Sequence, residues 1–337
     1  MRIDIHTHIM PPVMPNWTQK FGYGDFIHLE HRQCEACMMK GDKVFRVVEK
    51  NCYDMADRLQ DMENTGVHMQ VLSTIPVLFN YWAQPADGLE TSRFFNDHIA
   101  ETVSRERHHF IGLGTVPLQD IDLAVREMER CVKELGMPGL EIGSNINGRN
   151  LSDEYFFPFY AAAEKLGCAL FIHPWEMMGE SQMEKYWLPW LVGMPAETSR
   201  AICSLIFAGV FDKFPKLRVA FAHGGGSFPF TLGRIEHGFK VRPDLVAVDN
   251  PVSPREYLGR FWVDSLVHDK RSLQYLLETV GDNNICLGSD YPFPLGEHKP
   301  GKLIEKAGLG KKTTRKLMYR NALDWLGISE KSLTDHE

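Results

Sequence analysis

Short apolar segments alternate with amphipathic segments along almost the whole chain. The apolar segments are rich in β-forming residues and bounded by turn residues, which is typical of buried parallel strands. Between them, apolar residues recur every three or four positions, as in helices that pack one face on a sheet. The pattern predicts strands at 2–8, 67–73, 110–116, 139–143, 168–173, 217–223, 261–264 and 285–290. It predicts helices near 55–64, 92–105, 120–135, 153–166, 197–211, 228–238 and 272–280.

Eight strands with helices between them predict an α/β fold, a (β/α)₈ TIM-type barrel. The length of 337 residues suits one such barrel with insertions, and residues 1–337 show no internal repeat or linker, so we expect a single domain. Residues 10–51 look irregular and too long for an ordinary loop, which predicts a lid-like insertion after the first strand. Residues from 301 onward predict a helical tail that packs on the outside of the barrel or on a partner.

Several predicted strands carry or end in residues that bind metals or move protons. His6 and His8 share one face of the first strand, and His173, His223 and Asp290 end later strands. Because the carboxyl ends of barrel strands converge on one face, these side chains are expected to lie together. A single histidine at a strand end is more often a hydrogen-bonded core residue, but four such strands favour a common metal centre.

Composition narrows the class of protein. A net charge of −7 and a pI near 6.1 give no field for nucleic acid, so an anionic substrate must be drawn by local arginines such as Arg46 and Arg234. No apolar run is long enough to cross a bilayer, and the chain enters a strand at once, with no sign of a signal peptide. An odd number of cysteines, seven, predicts reduced thiols and a cytoplasmic protein.

Two further motifs leave alternatives open. The spacing of His28, His31, Cys34 and Cys37 suggests a second zinc site, but it is tighter than usual, and free side chains in the insertion are favoured. The aromatic tract at 186–190 suits a pocket wall or a subunit contact, and a core position equally well.

Six motifs together resemble a known family. They are I-D-I-H-T-H at 3–8, F-R-V-V at 45–48, H-P-W-E at 173–176, Y-W-L-P-W-L-V-G-M-P-A-E-T at 186–198, F-A-H-G-G-G-S-F-P-F at 221–230 and G-S-D-Y-P-F-P-L-G-E at 288–297. Nearly end to end, the chain resembles the α-amino-β-carboxymuconate-ε-semialdehyde decarboxylases of the amidohydrolase superfamily. The last three motifs are long and specific.

The resemblance implies a metal site and its catalytic groups. The ligands would be His6, His8, His173 and Asp290, holding one Zn²⁺ per chain, with Mn, Fe or Co as alternatives. His223 would be the catalytic base beside the metal. Two mechanisms stay open: addition of a hydroxide to the substrate, or direct coordination of the substrate, with His223 or Asp290 protonating carbon.

The resemblance also implies a substrate site shared between two subunits. Arg46 would bind a substrate carboxylate, and Arg234 would do so from the neighbouring subunit of a homodimer. Trp190 would line the pocket and Lys40 would assist.

The activity implied is the non-oxidative decarboxylation of 2-amino-3-carboxymuconate 6-semialdehyde to 2-aminomuconate 6-semialdehyde, in tryptophan catabolism through kynurenine or in nitrobenzoate breakdown. Related resorcylate and carboxyvanillate decarboxylases tend to carry E-x-H on the first strand, so His6 favours the semialdehyde. The fourth strand carries Glu141 and no lysine to bridge a second metal. The alternatives are a decarboxylase of another aromatic or dienoic acid, a zinc hydrolase or hydratase on a related dicarboxylate, or a metal-binding regulatory protein without catalysis.

Overall fold

The computed structural model describes residues 1–32 and 35–333. In chain order its strands are β1 (Ile3–His8), β2 (Ile27–Arg32), β3 (Glu35–Lys40), β4 (Lys43–Val48), β5 (Met69–Ser73), β6 (Phe110–Gly114), β7 (Gly139–Gly143), β8 (Asn145–Ile146), β9 (Arg149–Asn150), β10 (Ala169–His173), β11 (Val219–Phe221), β12 (Trp262–Asp264) and β13 (Ile285–Cys286). Its α-helices are α1 (Trp17–Phe21), α2 (Met55–Thr65), α3 (Pro85–Arg105), α4 (Ile121–Lys133), α5 (Phe157–Leu166), α6 (Met194–Phe207), α7 (Val210–Lys213), α8 (Phe228–Val241), α9 (Pro243–Val246), α10 (Lys270–Val280), α11 (Lys302–Lys306), α12 (Lys311–Arg315) and α13 (Asn321–Leu326).

Eight parallel strands form the central sheet, in the order β1, β5, β6, β7, β10, β11, β12, β13. The first and last strands of this order are joined. The backbone N–H of Ile5 donates to the carbonyl oxygen of Leu287 at 2.9 Å, and that of His8 donates to Tyr291 at 2.8 Å. The sheet is therefore a nearly closed barrel surrounded by helices, and the predicted (β/α)₈ architecture is confirmed.

Helix α4 illustrates how the outer helices pack on the barrel. Its buried apolar residues recur every three or four positions, at Ile121, Ala124, Met128 and Cys131. Their common face covers the sheet, and the opposite face meets solvent. None of the helices in the described ranges is both long and apolar enough to span a bilayer.

Two strands that carry site residues are shorter than the sequence predicts. β11 ends at Phe221 and β13 at Cys286, so His223 and Asp290 lie beyond the strands rather than at their last positions. His223 has φ 57° and Asp290 has φ 59°, so neither residue has strand backbone. Beyond β13, the N–H groups of Leu287 and Ser289 donate to Leu317 and Asp4 and not to β12. A left-handed residue cannot continue a strand, because a strand requires negative φ.

The insertion at 10–51 is more regular than predicted. It contains α1 and a three-stranded antiparallel sheet in the order β2, β3, β4. The buried face of this sheet includes Ala36, Met38 and Val48, which form one apolar cluster with Ile75 and Phe95. This burial stabilises the sheet, so the expectation of an irregular segment was wrong.

The predicted C-terminal tail is helical but is not confined to the outside. Trp325 is fully buried, and its ring centroid lies 5.9 Å from that of Phe171 on β10. Phe171 in turn lies 5.0 Å from the ring of His6. The tail therefore supports the barrel interior beneath the strand that carries the first two histidines.

Candidate metal centre

Four side chains from three strand ends converge at one point of the barrel. One potential ligand atom from each of His6, His8, His173 and Asp290 lies within 4.8 Å of the other three. Oδ1 of Asp290 is 3.4 Å from Nε2 of His6 and 3.2 Å from Nε2 of His8. Three imidazoles and one carboxylate form a donor set that suits a divalent transition metal.

The hydrogen bonds of the three histidines support this assignment. In each ring, Nδ1 points away from the cluster. Nδ1 of His6 lies 2.7 Å from a carboxylate oxygen of Asp264. Nδ1 of His8 lies 3.0 Å from the carbonyl oxygen of Thr74, and Nδ1 of His173 lies 3.0 Å from that of Pro174. A carbonyl oxygen only accepts, so Nδ1 carries the proton and Nε2 keeps its lone pair. All three Nε2 atoms are buried, and none has a hydrogen-bond partner among the described residues. The site therefore fits a metal ion.

Charges in the cluster are strongly coupled. Burial alone would raise the pKa of Asp290, but the imidazoles of His223, His6 and His8 around it hold that pKa well below its ordinary value. Burial lowers the pKa of His8 and His173, which therefore remain neutral. Burial also opposes the charge on His6, but the carboxylates of Asp264 and Asp290 raise its pKa to about 10. The anionic carboxylate and the two neutral imidazoles favour binding of a cation, and a metal ion at Nε2 of His6 would displace the second proton from that ring.

Asp264, which sequence reasoning missed, is the central support of the site. Its Oδ2 accepts from Nδ1 of His6 at 2.7 Å and from the backbone N–H of His223 at 2.8 Å. Its Oδ1 accepts from the backbone N–H groups of Gly224 at 2.8 Å and Leu266 at 3.0 Å. Burial would raise its pKa, but the bond from His6 lowers it below the ordinary value. The sequence signal that could have identified Asp264 was its position as the last residue of a short apolar strand.

His223 borders the cluster without belonging to the four-ligand group. Its Nε2 lies 3.9 Å from Oδ2 of Asp290, and its ring centroid lies 5.1 Å from those of His6 and His173. The left-handed backbone that follows β11 places the ring there, and Asp264 holds this backbone by accepting a hydrogen bond from the backbone N–H of His223. The position suits proton transfer at the edge of a metal site.

The predicted substrate-binding residues fall in three places. Arg46 lines a small cavity with His8, His173 and Asp290, and its guanidinium carbon lies 4.6 Å from the ring centroid of Phe293. Among the residues that the structure describes, it forms no ion pair. Its guanidinium is therefore free to meet an anion.

The other three candidates lie at different distances from the cluster. Trp190 lines the same small cavity, and its ring centroid is 5.7 Å from the guanidinium carbon of Arg46. Lys40 lines a separate cavity of about 190 Å³ beside Glu176. Arg234 lies on the exposed face of α8, outside the cavities that the site residues of its own chain line.

Glu141 is fully buried inside the barrel on β7, with Oε1 3.7 Å from Nδ1 of His8. Burial raises the pKa of this carboxyl well above its ordinary value, which favours the neutral acid. Of the second zinc candidate, Cys37 is buried and Cys34 lies outside the described residues. In the part of the chain that the structure describes, only the group of His6, His8, His173 and Asp290 has the geometry of a metal site.

Comparison with known proteins gives consistent results. Residues 3–328 match the amidohydrolase family model. The chain is 54% identical to a 2-amino-3-carboxymuconate-6-semialdehyde decarboxylase of Dictyostelium discoideum, over 97% of this chain and 92% of that protein. It is 38% identical to the protein of the same name from Caenorhabditis elegans, over 98% and 96%. The structure of a 5-carboxyvanillate decarboxylase from Sphingomonas paucimobilis superposes with a TM-score of 0.84 at 26% identity, covering 97% of this chain and 99% of that one.

Proposed function

This chain belongs to the amidohydrolase family as a metal-dependent carboxy-lyase, and from that premise we propose that it converts 2-amino-3-carboxymuconate 6-semialdehyde to 2-aminomuconate 6-semialdehyde and CO₂. The observation that carries the proposal is the buried donor set of three imidazoles and Asp290 beside the guanidinium of Arg46, which has no ion-pair partner in the described ranges. The 54% identity to a decarboxylase of this substrate supports the choice of substrate.

The metal is proposed to be one Zn²⁺ per chain, held by His6, His8, His173 and Asp290. Bound there, zinc would act as a Lewis acid and lower the pKa of water to roughly 7. Asp264 and the carbonyl oxygens of Thr74 and Pro174 fix the tautomers of the ligands.

The remaining residues bind the substrate and move its proton. Decarboxylation replaces a carboxylate by a proton, and His223 is proposed to transfer protons at Nε2, beside Asp290. Arg46 binds a substrate carboxylate and thereby orients the bond that breaks. Trp190 forms the wall opposite, and Lys40 assists from its neighbouring cavity.

We propose that the active unit is a homodimer in which Arg234 reaches the pocket of the other subunit. The surface around α8 supports this, because Phe230 is 81% exposed, Val192 55% and Leu191 49%. Such large apolar side chains mark a protein interface when they lie together.

Mixing Arg46→Ala and Arg234→Ala dimers should then restore activity toward a quarter of wild type, since one pocket of each mixed dimer is intact. No recovery after confirmed subunit exchange would mean that each pocket belongs to one chain.

A cytoplasmic location in tryptophan or nitrobenzoate catabolism completes the proposal. The six cysteines that the structure describes are free, as expected in a reducing compartment.

The test is incubation with freshly generated semialdehyde, following its absorbance together with CO₂ release and metal content. We expect one CO₂ per substrate, one metal ion per chain, and loss of activity after chelation that Zn²⁺ restores. His223→Ala should retain the metal and lose nearly all turnover. Decay of the substrate without CO₂, with oxygen from labelled water in the product, would instead indicate a hydrolase or hydratase.

A further inference from the structure

Two cavities of very different size meet at Trp190. The cavity beside the metal ligands and Arg46 has a volume of about 30 Å³, which holds a few water molecules at most. The cavity on the other side of Trp190 has a volume of about 600 Å³ and is lined by His223. Trp190, Met194 and Leu295 line both. A substrate whose carboxylate lies at Arg46 must therefore extend into the larger cavity.

The larger cavity is mostly apolar, with three polar side chains that have no role so far: Ser272, which carries only a short hydroxyl, and the longer His268 and Arg271. Its apolar walls include Leu266 and Tyr275, and its additional polar groups include His268 and Arg271. Apolar walls with a few placed donors are typical of a small-molecule site. The two donors are therefore the groups that can orient the far end of a ligand.

The backbone at His268 matches that of two known site residues. His268 follows β12 with φ 58°, just as His223 follows β11 with φ 57° and Asp290 follows β13 with φ 59°. Left-handed backbone is uncommon outside glycine and concentrates at functional sites. Three neighbouring strand ends thus present a side chain to the same face in the same unusual conformation.

Arg271 brings a positive charge to the wall of this cavity. It forms no ion pair with any residue in the described ranges, and it sits in the first turn of α10. The neighbouring carboxylate of Asp269 is occupied, since it accepts from the backbone N–H groups of Arg271 and Ser272 at 2.8 Å and 3.1 Å. The Arg271 guanidinium is left to meet an electron-rich group in the cavity.

We propose that His268 and Arg271 bind the aldehyde oxygen at the end of the substrate opposite the carboxylates, an inference that rests on the proposed function. In this substrate the amine is conjugated with the aldehyde through two carbon–carbon double bonds, so electron density accumulates on the aldehyde oxygen. A guanidinium and an imidazole N–H are suitable donors for such an oxygen. Trp190 and Tyr275 contact the planar diene between the two polar ends of the substrate. His268 and Arg271 select substrates of the correct length.

Steady-state kinetics of His268→Leu and Arg271→Met test the proposal. Each variant should raise KM for the semialdehyde about tenfold, the loss of one good hydrogen bond. Metal content and melting temperature should stay at the wild-type values. His268→Gln retains an N–H donor and should keep KM within threefold of wild type. His109→Leu and Arg126→Met, at exposed positions away from the cavity, serve as controls and should leave KM unchanged.

The outcomes separate the two levels of inference. If the wild-type protein releases no CO₂ from the semialdehyde, the proposed function fails, and the assignment of His268 and Arg271 fails with it. If the wild type is active and both variants keep its KM, only the assignment of the pair is overturned. Equal losses in His268→Gln and His268→Leu would also overturn it, because they would show that the donor is irrelevant.

Discussion

Replacing Asp264 by asparagine should damage the metal site without removing any ligand. The carboxylate accepts four hydrogen bonds, from Nδ1 of His6 and from the backbone N–H groups of His223, Gly224 and Leu266, at 2.7–3.0 Å. An asparagine has the same shape but only one acceptor oxygen. In either orientation of the amide, its NH₂ group faces two of these donors, and both lose their partner.

The magnitude follows from this count. Each buried donor left without an acceptor costs about 1–3 kcal/mol, so two cost roughly 2–6 kcal/mol of folding free energy. The outward hydrogen bond of a metal-binding histidine typically accounts for about 10- to 100-fold in metal affinity. We therefore expect Asp264→Asn to fold with reduced stability and to bind Zn²⁺ at least tenfold more weakly, because His6 loses its charged acceptor in either orientation of the amide. Activity at saturating Zn²⁺ should also fall, because either the backbone N–H of His223 or that of Gly224 loses its acceptor.

Two measurements check this prediction: urea unfolding of the metal-free protein, and Zn²⁺ titration against a competing chelator. Asp249→Asn, at an exposed position, makes the same chemical change and should alter neither quantity. If Asp264→Asn binds Zn²⁺ within threefold of wild type and unfolds within 1 kcal/mol of it, Asp264 does not support the site as described.

Three further predictions concern Arg58, a pair of glycines and His98. Arg58→Met should cost about 2–4 kcal/mol in urea unfolding, because the fully buried guanidinium donates to the backbone carbonyl of His8, and that oxygen would lose its partner. Gly226→Ala should destabilise the protein by several kcal/mol, because Gly226 has φ +62° and a Cβ there would lie 2.3 Å from a backbone oxygen. Gly238→Ala on α8, where a Cβ would have no atom within 4 Å, should instead stabilise the protein by about 0.5–1 kcal/mol. Thermal melting compares the two variants. Burial lowers the pKa of His98 from 6.5 to about 4, so only the unfolded chain takes up a proton between these values, and stability falls as the pH drops below 6.5. Between pH 7 and pH 5, the unfolding free energy of the metal-free His98→Gln protein should fall by about 1–2 kcal/mol less than that of wild type, as measured by urea unfolding. An equal fall in both proteins would contradict this assignment.

The sequence predicts the barrel and the positions of its ligands because both depend on local patterns. Buried parallel strands are continuous apolar runs, and although one histidine at the end of such a run is usually a core residue, the recurrence of histidine or aspartate on four strands favours a site. Asp264 escapes this reasoning, since it ends a strand of only three residues and its partner His6 is 258 positions away. Nothing local shows that its carboxylate faces that imidazole.

The remaining misses have similar physical causes. The β2–β4 sheet of the insertion is held by contacts with Ile75 and Phe95 from elsewhere in the chain, so its own sequence carries little periodic signal. The strands before His223 and Asp290 look longer in the sequence than they are, because a left-handed backbone leaves no mark on the pattern of apolar residues. His268 is hidden for the same reason, in a loop without apolar periodicity.

Closure of the barrel between β1 and β13 affects when the protein can acquire its metal during synthesis. His6 and His8 leave the ribosome first, whereas Asp290 and the β1 partners Leu287 and Tyr291 follow roughly 280 residues later. At about 5–20 residues per second, the interval is about 15–60 s. During that time the first strand has no neighbour on one side and the imidazoles have no carboxylate ligand. Ribosome-bound chains stalled before residue 290 should therefore not retain a divalent metal ion, and the complete ligand set should form only when synthesis is almost finished.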